Sequence, residues 1–487
     1  MIDTHSFIVV MPEIVIAVTA LVSLIAAAAC GSRVTRHIGI LAIAAFILAA
    51  GEMFGSFRLG LILDGALPIF AFGGQFVDDS FARFAKAIVL LASALSILLS
   101  WDYFEKEGQE KPEYPVLILF ATLGMMLMIS ASDLISLYVG LELQSLALYV
   151  LAAFKRDDKR SSEAGLKYFV LGALSSGILL YGLSLIYGFA GTTDFVSLAG
   201  ALRDAHAHPG VVVGMVFACA GLAFKIAGVP FHMWAPDVYE GAPTPVTAFF
   251  ATAPKLAALA VFTRFLLTPM AGLAAEWHQV IVFISVASML WGAFAGLVQT
   301  NIKRLLAYSS IANVGVLLIA LLVGGKTGVQ ALLIYFAIYA LATIGAFAVA
   351  LCLRRDGKAV ESIFDLSGLS KTHPLVALGM AILMFSLAGV PPLAGFFGKY
   401  FVFLAAVKAD MVPLAVIGVL SSVVSAYYYL RIVKIMYFDE PAEALDPLPD
   451  WGVKAVLGVS SLAMVCFIFA PAPLVEGAMN AAKGFVV

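Results

Sequence analysis

Phe224-Lys-Ile-Ala-Gly-Val-Pro230 is echoed by Phe385-Ser-Leu-Ala-Gly-Val-Pro391, the same F-x-x-A-G-V-P pattern 161 positions on. Both copies lie in long apolar stretches and put a Gly and a Pro where a helix would otherwise continue. Proline lacks a backbone donor and clashes with the preceding turn, so each copy marks a helix break that frees carbonyls. A weaker echo lies at a similar offset, where Asp133-Leu-Ile-Ser-Leu and Asn301-Ile-Lys-Arg-Leu each open an apolar run. Two echoes at nearly one offset read as an internal duplication.

The surrounding composition decides the class. Of 487 residues, 62% are hydrophobic and only 12% are charged, with a mean hydropathy of +1.02; soluble domains carry about 25% charged residues. A chain of this size cannot fold so as to hide that much apolar side chain from water. A soluble enzyme, a nucleic-acid binder and a disordered chain are excluded, which leaves an integral membrane protein. The net charge of −2 offers no steering of a polyanion.

A spanning helix needs about 20 apolar residues. Runs of that order lie near 7–29, 37–57, 81–101, 114–131, 133–154, 164–190, 211–230, 245–269, 279–298, 302–323, 328–353, 375–404, 412–437 and 452–475. Period-2 alternation is absent, so the expected fold class is an all-α polytopic membrane protein with about 14 transmembrane helices rather than a barrel. The repeated motifs fall in the seventh and twelfth runs, five apart. Five is odd, so two copies of a five-helix unit cross the membrane in opposite senses, an inverted repeat. The resulting segments are 1–113 with the first three runs, 114–275 and 276–440 as the two repeats (runs four to eight and nine to thirteen), and 441–487 with the last run. Broken helices survive in lipid only around a protein-lined or hydrated cavity, so runs seven and twelve are expected to line a pathway.

Loop charges orient the bundle. One set of loops holds Arg33, Arg36, Lys106, Lys111, Lys155, Arg156, Lys159, Arg160, Lys303, Arg304, Arg354, Arg355, Lys358 and Lys371; the other holds mainly Arg58, Arg203, Lys326 and Lys408. The excess of Lys and Arg inside places both termini outside. Met1-Ile-Asp-Thr-His-Ser-Phe7 has no basic signal-peptide start, so the first run is expected to be retained.

Ionisable residues within the spans cost several kcal/mol each unless paired or hydrated. Glu142 falls about ten residues into the fifth run, which is about 15 Å at helical rise and near mid-bilayer. Lys255 is equally deep in the eighth, Lys225 lies a turn before the break in the seventh, and Lys399 two turns after the break in the twelfth. An unpaired lysine in an apolar bundle tends to lose its proton and a nearby carboxylate favours keeping it, so moving one counter-charge switches it. That is the chemistry of a proton relay, and these four are the candidate residues. Lys167, near the start of the sixth run, and His232, just past the seventh-run break, are secondary candidates; snorkelling and a backbone-satisfied imidazole are the respective alternatives. Glu13, Glu52, Asp64 and Asp133 lie near run ends, where interface solvation accounts for them.

Cys30, Cys219, Cys352 and Cys466 stand singly and read as small core hydrophobes, and no histidines have metal-ligand spacing, so no metal site is expected. Ala320-Leu-Leu-Val-Gly-Gly-Lys-Thr327 mimics a relaxed phosphate-binding loop, but it sits in a short outer turn without the strand and soluble helix that such a loop needs. No G-x-G-x-x-G fingerprint exists, so the chain offers no recognisable NADH site.

The block Phe224-Lys-Ile-Ala-Gly-Val-Pro-Phe-His-Met-Trp-Ala-Pro-Asp-Val-Tyr-Glu-Gly-Ala-Pro-Thr-Pro-Val-Thr-Ala-Phe-Phe250, with Lys255 behind it, closely resembles the antiporter-like membrane subunits of respiratory complex I. Asn301-Ile-Lys-Arg-Leu-Leu-Ala-Tyr-Ser-Ser310 and Gly395-Phe-Phe-Gly-Lys399 extend the resemblance over nearly the whole chain. The resemblance implies a proton-translocating, non-redox subunit of an NADH:quinone oxidoreductase in a bacterial inner membrane, driven by quinone reduction elsewhere in the complex. It implies that Glu142 pairs with Lys225, that Lys255 is the central relay and that Lys399 serves the outward exit. No cofactor is expected on this chain; FMN, iron–sulfur clusters and quinone would belong to the rest of the complex. Expected partners are the lipid bilayer, the neighbouring antiporter-like subunit M and small subunits such as K. Lysine at 399, and a chain that ends soon after the fourteenth run, set it apart from the members with glutamate there or with a long lateral helix. The rival reading is an Mrp-type cation/proton antiporter subunit; a passive scaffold has no use for mid-membrane lysines on broken helices.

Overall fold

The computed structural model describes residues 4–54, 68–203, 208–443, 445–447 and 451–485; Arg58 and Asp64 lie outside the described residues. The helices in chain order are α1 (Thr4–Val9), α2 (Met11–Cys30), α3 (Thr35–Phe54), α4 (Ser80–Lys106), α5 (Glu113–Ile129), α6 (Leu134–Ala152), α7 (Lys159–Ala190), α8 (Phe195–Arg203), α9 (Pro209–Lys225) and α10 (Trp234–Gly241). They continue as α11 (Thr244–Phe250), α12 (Ala253–Leu267), α13 (Ala274–Leu297), α14 (Ile302–Val323), α15 (Gly325–Cys352), α16 (Leu369–Thr372), α17 (Pro374–Ala388), α18 (Ala394–Lys408), α19 (Val412–Phe438), α20 (Trp451–Cys466) and α21 (Ala472–Lys483). Two short hairpins complete the description, β1 (Ile69–Ala71) with β2 (Phe76–Asp78) and β3 (Arg354–Arg355) with β4 (Lys358–Ala359).

Among the described residues, nine helical stretches are long and apolar enough to cross a membrane, and α5, α9, α17 and α20 are shorter apolar helices. One of the nine, Met11–Phe54, folds back at the 3-10 turn Gly31–Val34 so that α2 packs on α3. The span of α11 and α12 is wholly buried and α14 and α15 nearly so, whereas α2 and α3 turn most of their surface outward. Ile25, Leu375, Phe438 and Phe469 are among the outward apolar side chains, which lipid solvates as the core would. The same reason corrects the reading of the cysteines: Cys219 and Cys352 are buried, but Cys30 and Cys466 are exposed.

Short polar residues start the helices. Side-chain oxygens of Asp79, Asp133, Asp158 and Asn301 accept from first-turn amides of α4, α6, α7 and α14, the usual remedy for unpaired donors at a helix start. The echo at Asp133 and Asn301 is therefore a shared cap, and Asp133 is a capping residue. Around it the backbone also corresponds. Leu134 donates to Thr193 and Phe195 to Ser132, at 3.0 Å each; 168 positions on, Ile302 donates to Glu361 and Ile363 to Thr300, at 2.8 Å each. Close packing follows the same offset: a Cβ on Gly124 would lie 2.5 Å from the Gln144 nitrogen, and one on Gly292 would lie 2.5 Å from the Ala312 nitrogen. Only glycine lets these backbones touch, and without a hydrophobic drive between helices in lipid such contacts hold a bundle together.

The two F-x-x-A-G-V-P motifs are breaks. Residues 226–233 separate α9 from α10, and Gly389–Leu393 separate α17 from α18. Freed groups find side chains: Trp234 Nε1 donates to the Phe224 carbonyl (2.9 Å), Val229 N to Ser288 Oγ (2.8 Å) and Gly395 N to Ser386 Oγ (3.0 Å). The phosphate-loop mimic spans the end of α14, the Gly324 turn and the start of α15, with no strand before it.

Candidate functional site

Lys225 closes α9 at the first break and is 7% exposed. Its ammonium donates to Ser145 Oγ (2.8 Å), Ser176 Oγ (3.2 Å) and Tyr149 OH (3.4 Å). Ser145 and Tyr149 stand three and seven residues beyond Glu142, on the same face of α6. Glu142 is half-buried, and its Oε1 has no hydrogen-bond partner among the described residues. Among the described residues, hydroxyls one and two turns along from Glu142 contact the Lys225 ammonium directly, and the Glu142 charge acts on it through space.

Lys255 sits in the first turn of α12, just after the interruption at Ala251–Thr252, and is 1% exposed. It donates to Ser310 Oγ, and its ammonium stands 5.2 Å from the ring centre of Tyr239, a cation–π arrangement. Lys399, in the second turn of α18, reaches back to the carbonyls of Leu387 (3.0 Å) and Ala388 (3.4 Å) that the second break has freed. Gly389, at φ +87°, carries no Cβ to crowd it; one built there would lie 3.2 Å from Lys399 Cδ. Among the described residues, none of the three ammonium groups is fixed to a carboxylate.

A polar chain that the sequence did not reveal lies beside Ser310. Ser309 Oγ and Tyr429 OH are 2.5 Å apart, Asn313 Nδ2 donates to the Ser309 carbonyl (2.9 Å), and Tyr335 OH donates to Asn313 Oδ1 (2.6 Å). The Tyr335 ring lies against Gly398, next to Lys399: a Cβ on that glycine would be 2.5 Å from it. Ser309, Ser310 and Asn313 are spaced along α14, so the hydroxyl and amide groups extend from the Lys255 side towards Lys399. Single Ser, Asn and Tyr residues in apolar runs carry little signal alone; their helical spacing was the available clue.

The secondary candidates fall elsewhere. Lys167 is 42% exposed at its side chain and pairs with Glu163 (2.7 Å) and Asp237 (3.1 Å). His232 lies in the link between α9 and α10, edge-on to Trp291 at 5.7 Å and hydrogen-bonded to the Pro230 backbone at the break. Among the described residues, neither contacts Lys225, Lys255 or Lys399. Among the described residues no group of three or more His, Cys, Asp or Glu could hold a metal ion.

Two buried ion pairs were also missed. Glu13, expected to be solvated at the interface, is 2% exposed and stands 2.6 Å from Lys86. Arg264 grips both oxygens of Asp79 at 2.8 and 2.9 Å and donates to the Ile129 carbonyl. Buried pairs of this kind cost desolvation and hold helices in place.

On the face that carries the basic loops, the loops form a charged basin of about 440 Å³. Glu107 binds Lys155 and Arg354 at 2.8 Å each. Burial pushes the Glu107 carboxyl up, but Lys155 and Arg354 outweigh it and hold the group below the usual glutamate value. Glu361 is likewise held low, its burial overcome by Lys303, Asn301 and Arg160.

Comparison with known proteins places this arrangement. A family profile described as "NADH:quinone oxidoreductase/Mrp antiporter, TM" matches residues 131–425. The NADH-quinone oxidoreductase subunit N of Rhodospirillum rubrum is 55% identical over 97% of this chain and 96% of its own length. A chain of respiratory complex I from Thermus thermophilus with bound aureothin is 33% identical, with a TM-score of 0.79 over 95% of this chain and 98% of that one. A chain of the Mrp complex from Dietzia sp. shares the fold, with a TM-score of 0.86 at 23% identity over 98% and 97% of the two chains.

Proposed function

Because the chain belongs to the membrane-subunit family shared by NADH:quinone oxidoreductases and Mrp antiporters, we propose that protons cross it through Glu142, Lys225, Lys255 and Lys399. It is a proton-translocating membrane-arm subunit of complex I, without a redox centre of its own; flavin, iron–sulfur clusters and quinone act in other subunits. The observation that carries the relay is the row of buried ammonium groups held by hydroxyls and carbonyls instead of fixed carboxylates. A charge so held is movable, because a hydroxyl can accept one proton while donating another.

In the mechanism, quinone reduction elsewhere shifts the counter-charge around Glu142. Lys225 then loses support and passes its proton towards Lys255. Helix dipoles favour the next step: Lys255 stands at the start of α12, where a cation is opposed, and Lys399 at the carbonyl end of α17, where a cation is stabilised. The polar chain through Ser309, Asn313, Tyr335 and Tyr429 lies between them and can pass the proton on. Lys167 and His232 serve at most the approaches to this row.

The finer architecture belongs to the same proposal: fourteen crossings, inverted units over 114–275 and 276–440, both termini outside, and subunit M and small subunits such as K as neighbours. The hydrogen bonds and glycine contacts repeated 168 positions apart support the duplication. An Mrp-type antiporter shares the fold, but 55% identity to subunit N over nearly the full chain favours complex I.

Replacing Lys225 with Met tests the relay. Assembly of the complex is expected to survive, while NADH-driven proton pumping in membrane vesicles falls about ten-fold or more. Parental pumping by the assembled variant sinks the assignment. Purification in mild detergent separates the two family branches: co-migrating flavin and iron–sulfur absorbance supports complex I, and cation/proton exchange by a chain lacking them supports the antiporter.

A further inference from the structure

The charged basin on the basic-loop face has a floor made of buried groups. Lys303 is 3% exposed and donates to the carbonyls of Glu240 (2.7 Å) and Ala242 (2.8 Å) and to Glu361 Oε1 (3.1 Å). Asn301 Nδ2 donates to the other Glu361 oxygen at 2.9 Å. The floor lies close to Lys255 by two routes. Lys303 and Ser310, the hydroxyl partner of Lys255, are seven residues apart on one face of α14, which is about 10.5 Å at helical rise. Tyr239 precedes Glu240 in the chain, so its backbone adjoins the floor while its ring faces the Lys255 ammonium at 5.2 Å. The hydroxyls of Tyr239 and of Tyr339 are buried and both interact with Ser310, the hydroxyl partner of Lys255; that of Tyr339 also interacts with Thr343. Both phenols therefore adjoin the serine that holds the central lysine.

A bracing role for the Lys303–Glu361 pair is the competing explanation, and the sister loop argues against it. Ile302 and Ile363 are bridged to Glu361 and Thr300 by the same backbone bonds that join Leu134 and Phe195 to Thr193 and Ser132. At the sister positions, 168 residues earlier, Lys303 is replaced by Ile135 and Glu361 by Thr193. The frame forms on the other face without either charge, so the charges serve something other than the frame.

We propose that this basin is the inlet through which protons reach Lys255 from the basic-loop side, with Glu361 as the collecting carboxylate and the buried Lys303 controlling passage beneath it. Glu361 takes a proton from water in the basin, and passage past Lys303 delivers it through Tyr239, Tyr339 and Ser310 to the neutral amine of Lys255. This inlet rests on the relay reading above and supplies the one proton that reloads the lysines through Lys255 after one has left by Lys399.

The test uses vesicles containing the whole complex, with the basic-loop face outward. Glu361→Gln is expected to cut NADH-driven proton pumping about ten-fold, while Glu361→Asp keeps more than half of it. An independent arm plugs the basin: Ala359→Cys, on its rim, is treated with a bulky, membrane-impermeant maleimide, and pumping is compared before and after in the same vesicles. Pumping is expected to fall in step with labelling, whereas equal labelling of Ser32→Cys, on another exposed loop of the same face, has no effect. Lys255→Met is run alongside. If Lys255→Met abolishes pumping but Glu361→Gln and the plugged complex pump at the parental rate, the inlet is overturned and the relay stands. If Lys255→Met itself pumps normally, the relay reading falls and the inlet with it. Should Glu361→Gln fail to assemble, the plug alone decides.

Discussion

At the scale of residues, the three buried lysines have the same charge but different surroundings, and substitutions should separate them. Lys255 holds one serine and faces an aromatic ring, so Lys255→Met removes a costly buried charge and fills a similar volume. Complex stability is expected to be unchanged or to rise slightly, with pumping abolished. Lys399 also closes the carbonyl end of α17, and Lys399→Met leaves those carbonyls bare. Its loss is expected to lower stability by about 1–2 kcal/mol in addition to stopping transport, read as an earlier thermal transition of the detergent-solubilised complex. Equal melting of the two variants refutes the capping role. The lysines were legible in the sequence because an ion deep in an apolar run is costly and therefore conspicuous. Their partners were not: Ser145, Ser176, Ser310 and Tyr149 are ordinary in such runs, and only the fold shows which of them face an ammonium.

At the scale of elements, boundaries and breaks were largely readable. Asp133 and Asn301 announce helix starts because their side chains replace the missing acceptors of a first turn, and the Gly and Pro of each repeated motif announce a break. What binds the elements was hidden, since the partners are far apart in sequence. Arg264 on α12 clasps Asp79 at the start of α4, and Phe81 and Phe485 lie 5.2 and 5.4 Å from its guanidinium. Arg264→Met strands a buried carboxylate and is expected to cost about 3–5 kcal/mol, seen as loss of the assembled complex or a lowered thermal transition. The double variant with Asp79→Asn removes the stranded charge and should recover much of that loss. A double variant as unstable as Arg264→Met alone shows that the guanidinium matters through packing, not through the pair.

At the scale of the whole molecule, the basic-loop face joins segments that the sequence could only assign to one side. Glu107 follows α4, Lys155 lies between α6 and α7, and Arg354 follows α15, yet all three meet within 2.8 Å contacts. Charge counting groups these loops because Lys and Arg accumulate in them; it could not find the pairing, which depends on how helices far apart in sequence pack. The pairing makes stability depend on pH with a definite sign. The Glu107 carboxyl is held below its ordinary value of 4.5, burial opposing and the neighbouring cations prevailing. Its contribution is therefore complete above that value and is lost as pH falls through the depressed one. Lys155 is shifted the other way: burial pulls it down, but Tyr103 and Glu107 raise it above its ordinary 10.5, so its share is complete below that value and is lost only as pH climbs through the raised one. The cluster thus contributes fully across neutral pH and fails first on the acid side. Glu107→Gln is expected to cost about 1–2 kcal/mol at pH 7, a partly exposed network lying between surface and buried pairs. In melts of the purified complex from pH 7 down to pH 4, the parent should lose more of its transition temperature than the variant, because the variant has already lost the carboxylate that acid would protonate. Parallel pH profiles for the two proteins would mean that the Glu107 charge does not hold these loops together.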